Sequence, residues 1–472
     1  MADPFHAKKT ALVIFGVSGD LSKRKLLPAL FRLYLEGELP KKVQIFGISR
    51  NDLDINDLRS SIEPLAKTVP YEVLRQTLVE QFLKLITVVT MDSAKPGDYG
   101  ELRKLLVARK LHTRLFYLSI PPLIALPVIE ALHVSGVSER ANAEHRLMLE
   151  KPFGFDLQSA SDFVSSVEKF FSEEQLFRID HYMAKETARN IAYFRFRNPI
   201  IRRVWCAEMI QSISVTASEA IGIEGRVQFY EQTGALRDVL QSHLLSLAAL
   251  VTMDEPMSSS QRDVQHARLT ALKRLRLSSQ DVGSVSYRAQ YETYGDEVGG
   301  THPNSETFVH IRTTISSGPM KGVLVDLQTG KALKEKQTEI VVTFKTEGIE
   351  PNRVVLEIQP QESIHIMLDA KKPGLHKDNE SFTLTYTYDN PAGAKPDGYE
   401  SVLLDAFRGD RTNFVTNKEL LETWRIVEPV IKLWSLQKEP QQVYKNGSSI
   451  EEVLTSKDKD TAANTKKRRI GK

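Results

Sequence analysis

The stretch ALVIFGVSGDLSKRK, residues 11–25, indicates the fold of the first half of the chain. Its first six residues are apolar and end in a glycine, which is typical of a strand buried on both faces of a parallel sheet. Gly16 and Gly19 then allow a tight turn that brings backbone amides to the start of a helix, where a pyrophosphate binds most easily. The pattern is a shortened dinucleotide-binding motif, and a purely structural helix-capping turn is its alternative interpretation.

Further apolar segments alternate with helical patterns through the first 180 residues. They are residues 43–48, 86–89, 114–119 and 146–150. This alternation predicts an α/β fold with a Rossmann-like, doubly wound parallel sheet in a domain at residues 1–180.

The sequence after residue 180 has a different pattern of apolar residues. It predicts a long apolar helix at residues 234–253 and a series of alternating strands between residues 308 and 388. Such strands favour a mostly antiparallel sheet, so we expect a larger α+β domain at residues 181–440. Residues 441–472 are polar and end in a basic cluster, Lys466-Lys467-Arg468-Arg469, and are expected to form a disordered tail. A nucleic-acid or targeting role for that tail is the alternative.

Composition limits the class of protein. The 472 residues are 41% hydrophobic and 26% charged, with a net charge of +3. These values suit a globular protein of two or three domains and do not favour a nucleic-acid partner. The single cysteine, Cys206, cannot form an internal disulfide. No apolar run is long enough for a membrane span and the N-terminus is not a secretory signal, so a cytoplasmic protein without a membrane partner is expected.

The end of the second predicted strand bears on the choice of cofactor. Related NAD-binding domains place an acidic residue there for the ribose hydroxyl, whereas this chain has Ser49-Arg50. The planar fork of an arginine can pair with a 2′-phosphate, which favours NADP. Asp52 leaves NAD open, and an ordinary surface arginine is the other interpretation.

The run RIDHYMAKE, residues 178–186, concentrates an acid, an imidazole, a phenol and an ammonium group. A helix that begins near Asp180 or His181 would place His181 and Lys185 on one face, close to the positive end of the helix dipole. That arrangement suits a phosphate. A solvated, charged helix start is the alternative.

The predicted apolar helix carries Asp238 and His243. A histidine in such a helix is usually a core residue. If Asp180 reaches His243, however, the imidazole becomes a suitable general base near neutral pH. Lys151 follows the strand at residues 146–150, at the edge of the sheet where open α/β folds bind ligands.

Together these segments resemble the glucose-6-phosphate dehydrogenase family. The motifs that carry the resemblance are GVSGDLSKRK at residues 16–25, EKPFG at 150–154, RIDHYMAKE at 178–186, TGALRD at 233–238 with His243, and GKAL at 330–333. They occur in the family's order, and the match spans residues 11–436. The resemblance implies an NADP-dependent enzyme that oxidises glucose 6-phosphate to 6-phosphogluconolactone, the first step of the oxidative pentose phosphate pathway.

Residue roles follow from the matched motifs. The resemblance implies that His243 is the general base and that Asp180 orients it. It implies these substrate-binding residues: Lys151, His181, Tyr182, Lys185, Glu219, Asp238, Lys331 and Lys336. It implies these cofactor-binding residues: Gly16, Ser18, Gly19, Asp20, Leu21, Arg50, Tyr117, Pro121 and Lys151. It implies no metal, and a homodimer or homotetramer formed through the large sheet.

Two departures from the family pattern are small. Ala184 stands where glycine is common, and Lys336 stands where some relatives have arginine. Two other functions remain open from the residues alone. One is an oxidoreductase acting on a different sugar, of the broader glucose–fructose type, and the other is a non-catalytic NADP-sensing homologue. The use of NAD and the presence of a second, structural NADP are also open.

Overall fold

The computed structural model describes the chain in nine parts: residues 8–140, 142, 144–300, 305–347, 349–373, 375, 378–388, 398–437 and 441–455. The chain forms two compact units. The first comprises Met1–Lys185, Met257–His266 and Asn390–Leu421. The second comprises Glu186–Pro256, Ala267–Asp389 and Glu422–Lys472.

The first unit contains a six-stranded parallel sheet with the strand order β3-β2-β1-β4-β5-β6. The strands are β1 Lys9–Phe15, β2 Lys42–Ser49, β3 Ile86–Thr90, β4 Thr113–Leu118, β5 His145–Leu149 and β6 Leu176–Arg178. The side chains of Leu12 and Val13 are both 0% exposed, so β1 is buried on both faces as its continuous apolar run predicts. The predicted doubly wound parallel sheet is confirmed.

Helices connect these strands. They are α1 Leu27–Leu35, α2 Arg59–Ala66, α3 Glu72–Leu83, α4 Gly100–Ala108, α5 Pro122–Val134 and α6 Leu157–Val167. Three 3₁₀ turns accompany them at Ile55–Leu58, Pro96–Tyr99 and Glu173–Gln175. In α1 the residues Leu27, Leu30 and Phe31 are buried in the core, because their spacing places them on one face of the helix.

The second unit contains a ten-stranded mixed sheet whose main order is β15-β14-β13-β12-β7-β11-β10-β9-β16, with β8 paired to β10. Its strands are β7 Ile210–Ser218, β8 Leu275–Leu277, β9 Ser286–Tyr291, β10 Phe308–Ile315, β11 Leu324–Gly330, β12 Gln337–Phe344, β13 Arg353–Gln359, β14 Ser363–Lys371, β15 Asn379–Thr387 and β16 Gln442–Tyr444. Among the described strands of this sheet, only the pairs β7–β11 and β9–β16 are parallel, which confirms the prediction of a mostly antiparallel sheet.

The remaining helices begin with α7 Glu186–Arg197, α8 Pro199–Val204, α9 Val227–Ala235 and α10 Leu245–Thr252. They continue with α11 Gln261–Arg274, α12 Val282–Val285, α13 Tyr294–Glu297, α14 Gly398–Arg408 and α15 Asn417–Leu436. The residues of α14 return to the first unit, where Val402, Leu403 and Phe407 join the core with β1 and α1. The single domain boundary predicted near residue 180 therefore misses this segment, which belongs to the first unit.

The predicted disordered tail is wrong for residues 441–455. β16 pairs with β9, and residues 450–455 are helical. Tyr444 and Val453 are 4% and 1% exposed and belong to a hydrophobic cluster of the second unit. Ile450 and Leu454 also pack against this cluster, so apolar contacts and strand pairing together anchor the segment. The rest of the predicted tail, residues 456–472, lies outside the described residues.

Candidate active site

The carboxyl ends of the parallel strands form one row across the first unit. Phe15 is in register with Ile48 and with Leu118, and the row continues from Leu118 to Leu149 and Arg178. The candidate residues Gly16, Arg50, Lys151 and Asp180 follow these strand ends within two residues. The switch in strand order lies between β1 and β4, which is where open α/β sheets bind their ligands.

The glycine loop is shaped by the approach of the segment after β4. Gly16 has φ +80°, and its N–H donates to the carbonyl of Ile48 at 3.1 Å. A Cβ at Gly16 would lie 2.2 Å from the carbonyl oxygen of Ser119. The Ser22 hydroxyl donates to the Gly16 carbonyl at 2.9 Å and closes the loop. The loop leads into a π-helical turn, Ser22–Leu26, that continues as α1.

The other predicted cofactor residues differ in their exposure. Ser18, Asp20 and Arg50 are exposed, as is Pro121 immediately before α5. Tyr117, in contrast, is 0% exposed, and its hydroxyl donates to Glu150 Oε1 at 2.6 Å. Exposed groups at this edge could hold a dinucleotide directly, whereas Tyr117 contacts the residue that precedes Lys151.

Glu150 and Lys151 extend β5 beyond the sheet. Burial raises the pKa of the Glu150 carboxyl, and the hydrogen bond from Tyr117 and the charge of Lys151 oppose that shift. Lys151 is partly exposed, as is Pro152, to which it is joined by a cis peptide bond. The ammonium group of Lys151 is thus carried at the sheet edge on a segment anchored by the Tyr117–Glu150 bond.

The predicted helix start at Asp180 or His181 is wrong, because α7 begins at Glu186. Residues 181–185 form turns instead. The Asp180 side chain accepts the N–H of Tyr182 at 3.0 Å, and the Asp180 carbonyl accepts the N–H of Met183 at 3.1 Å. An aspartate that bonds to the backbone two residues ahead offers the chain an alternative to a helix.

His181, Tyr182 and Lys185 nevertheless remain close in this turn. The rings of His181 and Tyr182 lie 4.8 Å apart between centroids. Gly398, at the start of α14, passes so near that a Cβ there would lie 3.1 Å from the His181 carbonyl oxygen and 3.3 Å from the Ala184 methyl group. The Ala184 methyl group fits in this turn because its neighbour in α14 is a glycine.

In the second unit, Glu219 and Lys331 follow two neighbouring parallel strands. Ser218 at the end of β7 is in register with Gly330 at the end of β11. The Glu219 N–H donates to the Gly330 carbonyl at 2.9 Å, and Lys331 Nζ forms an ion pair with Glu219 Oε2. The Lys331 side chain is 3% exposed and that of Glu219 is 30% exposed. Lys331 therefore fixes a carboxylate that is still accessible.

Asp238 and His243 lie on a nine-residue π-helix, Leu236–Leu244, and not on the α-helix that the apolar pattern predicts. Hydrogen bonds in a π-helix join residues five apart, so Asp238 and His243 lie about one turn apart on the same side. In an α-helix the same spacing would turn them away from each other. His243 is 2% exposed and Asp238 is partly exposed. Such π-helical segments are frequent at functional sites.

Two residues that no motif marks, Tyr230 and Glu306, lie close to this group of the second unit. The ring centre of Tyr230 lies 5.4 Å from Lys331 Nζ. Burial raises the pKa of Tyr230 well above its ordinary value, and the nearby carboxylates of Asp238 and Glu306 act in the same direction. Glu306 is 4% exposed. The sequence marks Glu306 only by its position shortly before an apolar strand.

The structure brings the predicted residues together in two groups. The first unit holds the glycine loop, Arg50, Lys151 and residues 180–185, and the second holds Glu219, Asp238, His243 and Lys331. Lys336 is exposed immediately before β12. The pairing of Asp180 with His243 joins residues of different units and stays a prediction.

The described residues include no group of three or more His, Cys, Asp or Glu side chains arranged to hold a metal ion. None of their helices has the length and apolar character needed to cross a membrane.

Comparison with known families covers both units. The model of the glucose-6-phosphate dehydrogenase NAD binding domain matches residues 13–190. The model of the glucose-6-phosphate dehydrogenase C-terminal domain matches residues 192–461. The two matches meet within a few residues of the start of α7, where the first unit gives way to the second.

Individual relatives agree with these models. Glucose-6-phosphate 1-dehydrogenase of Gluconobacter oxydans is 36% identical over 459 residues, covering 92% of this chain and 93% of that protein. The Bacillus subtilis enzyme is 32% identical over 468 residues, covering 93% and 94%. A structure of a glucose-6-phosphate dehydrogenase in complex with its substrate glucose 6-phosphate aligns with a TM-score of 0.87 and 33% identity over 97% of this chain and 98% of the other. The chain therefore belongs to the glucose-6-phosphate dehydrogenase family and is an oxidoreductase of carbohydrate metabolism with a binding domain for a nicotinamide dinucleotide.

Proposed function

We propose that the protein oxidises glucose 6-phosphate to 6-phosphogluconolactone, the first step of the oxidative pentose phosphate pathway, with NADP as the electron acceptor. The observation that carries this proposal is the full-length match to a glucose-6-phosphate dehydrogenase with bound substrate, at 33% identity. The chain retains a charged or polar group at each position to which the resemblance assigns substrate contact. A bound oxidised nicotinamide would supply the acceptor for the hydride that leaves the anomeric carbon of the sugar.

His243 removes the proton in this mechanism. Its imidazole takes the proton of the anomeric hydroxyl while the carbon–hydrogen bond of the same carbon breaks, so that a lactone carbonyl forms. A carboxylate beside an imidazole stabilises the charge that the ring acquires, and we assign that role to Asp180. The backbone bond from Tyr182 holds the Asp180 carboxylate in one orientation.

Other side chains hold the sugar phosphate. His181, Tyr182 and Lys185 are assigned to the phosphate because the turn gathers an imidazole, a phenol and an ammonium group within five residues. Glu219 and Asp238 accept hydrogen bonds from sugar hydroxyls, and the Lys331 ion pair keeps the Glu219 carboxylate in place. We assign Lys151 to both substrate and cofactor, and Lys336 to the substrate.

The phosphate assignment can be tested with Lys185→Met. The variant should lose about 10- to 100-fold in kcat/KM for glucose 6-phosphate, since hydrogen bonds to charged groups contribute about 1.5–3 kcal/mol. Its activity with unphosphorylated glucose should change little. Steady-state rates with both sugars, measured by the absorbance of reduced cofactor, check this. Lys84→Met, at the end of α3, is the matched control and should behave as wild type. Equal losses with both sugars would refute the assignment, and a wild-type protein inactive with glucose 6-phosphate would refute the function.

The choice of NADP over NAD is supported by Arg50, which is exposed directly after β2. Its guanidinium pairs with the 2′-phosphate in our proposal. Arg50→Ala should reduce the ratio of kcat/KM for NADP to that for NAD by about 10-fold or more, as expected for the loss of a charge-assisted bond. Arg59→Ala, which instead removes an ion pair with Glu80, is the control. An unchanged ratio in Arg50→Ala would contradict the 2′-phosphate role.

We also propose a homodimer or homotetramer and a cytoplasmic location. The described edge strand β15 supports the first, since Phe382, Leu384 and Tyr386 are 40%, 54% and 59% exposed on it. A single cysteine suits a reducing compartment. Light scattering should give two or four times the chain mass of 53.3 kDa, and a monomer would contradict the first proposal.

A further inference from the structure

The tripeptide Ser305-Glu306-Thr307 lies directly before β10 and bonds to three segments of the second unit. The Ser305 hydroxyl donates to the carbonyl of Glu231 in α9 at 2.9 Å. The Glu306 side chain accepts the N–H of Leu236, the first residue of the π-helix, at 3.0 Å. The Thr307 carbonyl accepts the N–H of Lys331 at 3.0 Å. One short segment therefore touches both the helix that carries His243 and the lysine that pairs with Glu219.

The contact between Glu306 and the π-helix requires a glycine. Gly234 has φ +60° and ψ 179°, and it forms a kink between α9 and the π-helix. A Cβ at Gly234 would lie 2.3 Å from Glu306 Oε1 and 2.6 Å from its carboxyl carbon. The carboxyl group therefore packs against the backbone of Gly234 while the Glu306 carbonyl accepts the N–H of Ala235 at 2.9 Å.

Thr307, the residue of the tripeptide that bonds to Lys331, is also held by other groups. The Tyr444 hydroxyl donates to the Lys331 carbonyl at 2.6 Å and lies 3.0 Å from the Thr307 hydroxyl. Thr307 is 0% exposed, and its hydroxyl accepts the N–H of Tyr291 at 2.9 Å. Glu306 thus projects from a backbone that is held on both sides.

Burial makes Glu306 costly to keep for packing alone. It raises the pKa of the Glu306 carboxyl, while the Leu236 N–H and the charges of Arg237 and Arg288 oppose that shift. An apolar side chain of similar size would avoid this cost but could not accept the first N–H of the π-helix. The Glu306 carboxyl oxygen is therefore needed because it accepts the Leu236 N–H and so directs the start of the π-helix.

We propose that Glu306 is a positioning residue that sets the orientation of the π-helix, and with it Asp238 and His243, against Lys331 and Glu219. The proposal rests on the function assigned above. It acts through the accepted Leu236 N–H and the close packing on Gly234. In this proposal the hydrogen bond accepted by Glu306, and not its charge, positions the helix. An amide oxygen that accepts the same N–H should therefore serve as well.

Three variants test this role. Glu306→Ala should lower kcat by about 100-fold, because misplacement of a reacting group by about 1 Å has effects of that size. Glu306→Gln should remain within about threefold of wild type, since it retains the acceptor. The KM for NADP should not change in either variant, because the glycine loop belongs to the first unit. Thr313→Val is the matched control: it removes another buried hydrogen bond of the neighbouring strand, from Thr313 Oγ1 to the Val325 carbonyl at 3.0 Å. A Glu306→Ala variant with the kcat of Thr313→Val, or a Glu306→Gln variant as impaired as Glu306→Ala, overturns the proposal.

A second measurement does not depend on the reaction. Hydrogen–deuterium exchange of residues 236–244 should be faster in Glu306→Ala than in wild type and in Thr313→Val, and Glu306→Gln should restore protection. Gly234→Ala should also accelerate this exchange, and by a smaller factor when combined with Glu306→Ala, because the clash with the carboxylate is then absent. Unchanged exchange in Glu306→Ala refutes the positioning role whatever the enzyme oxidises. Inactivity of the wild type with glucose 6-phosphate refutes only the assigned function.

Discussion

Replacing His243 by asparagine is expected to lower kcat about 1,000-fold, within the range that general-base groups contribute. The KM for glucose 6-phosphate should change by less than about threefold, because the base acts on the transition state and adds little to substrate binding. Asparagine is smaller than histidine but polar, so it keeps a hydrogen-bonding group at the 2%-exposed site on the π-helix while it removes the base. Initial rates over a range of substrate concentrations measure both kcat and KM.

The second unit offers a matched control for this substitution. His310 on β10 is also a buried histidine, and its Nε2 lies 2.8 Å from Asp326 Oδ1. His310→Asn makes the same chemical change beside a carboxylate but outside the candidate site, so kcat should stay within about twofold of wild type. If both variants lose activity equally, or if His243→Asn raises KM as much as it lowers kcat, His243 is not the base.

Gly16→Ala is expected to destabilise the first unit and to weaken cofactor binding. The added methyl group would lie 2.2 Å from the Ser119 carbonyl oxygen, so the turn after β1 has to move. The left-handed backbone costs an alanine about 1–2 kcal/mol, and the overpacked contact adds about 1–3 kcal/mol. A displaced loop no longer presents its amides to the pyrophosphate, and the dissociation constant for NADP should rise about 100-fold. Urea unfolding and cofactor titration by fluorescence measure the two quantities.

Gly37→Ala separates backbone strain from the clash. Gly37 follows α1 with φ +72°, and a Cβ there would meet nothing within 4 Å. This variant should lose only the strain of about 1–2 kcal/mol and should bind cofactor normally. Equal stability losses in the two variants, or normal NADP affinity in Gly16→Ala, would show that contact with the Ser119 segment does not shape the glycine loop.

Local sequence patterns were sufficient to predict much of the fold of this protein. The continuous apolar run before Gly16 predicts a doubly buried strand, and alternation along β10 to β15 predicts a mostly antiparallel sheet, because the period of buried side chains directly reflects which faces a strand buries. Parallel strands share one carboxyl edge, so the sequence alone assigns Gly16, Arg50 and Lys151 to the same edge. Motif order was enough to recognise the family.

The local geometry of the candidate site could not be predicted in this way. The helix expected from Asp180 begins only at Glu186, because the Asp180 side chain bonds to the backbone of Tyr182 and favours a turn. The predicted α-helix through His243 is a π-helix, whose N-terminal N–H is accepted by Glu306, about 70 positions away in the chain.

The amino-acid pattern alone specifies the classes of strand, the sheet edge at which the glycine loop lies, and the chemical groups that are available for catalysis. These depend on side-chain type and spacing, which are local properties. The packed structure alone reveals that Lys331 pairs with Glu219, that β16 joins the second sheet, and that Glu306 meets the start of the π-helix. Such contacts join segments far apart in the chain, and a buried polar group takes the partner that the packed backbone brings to it.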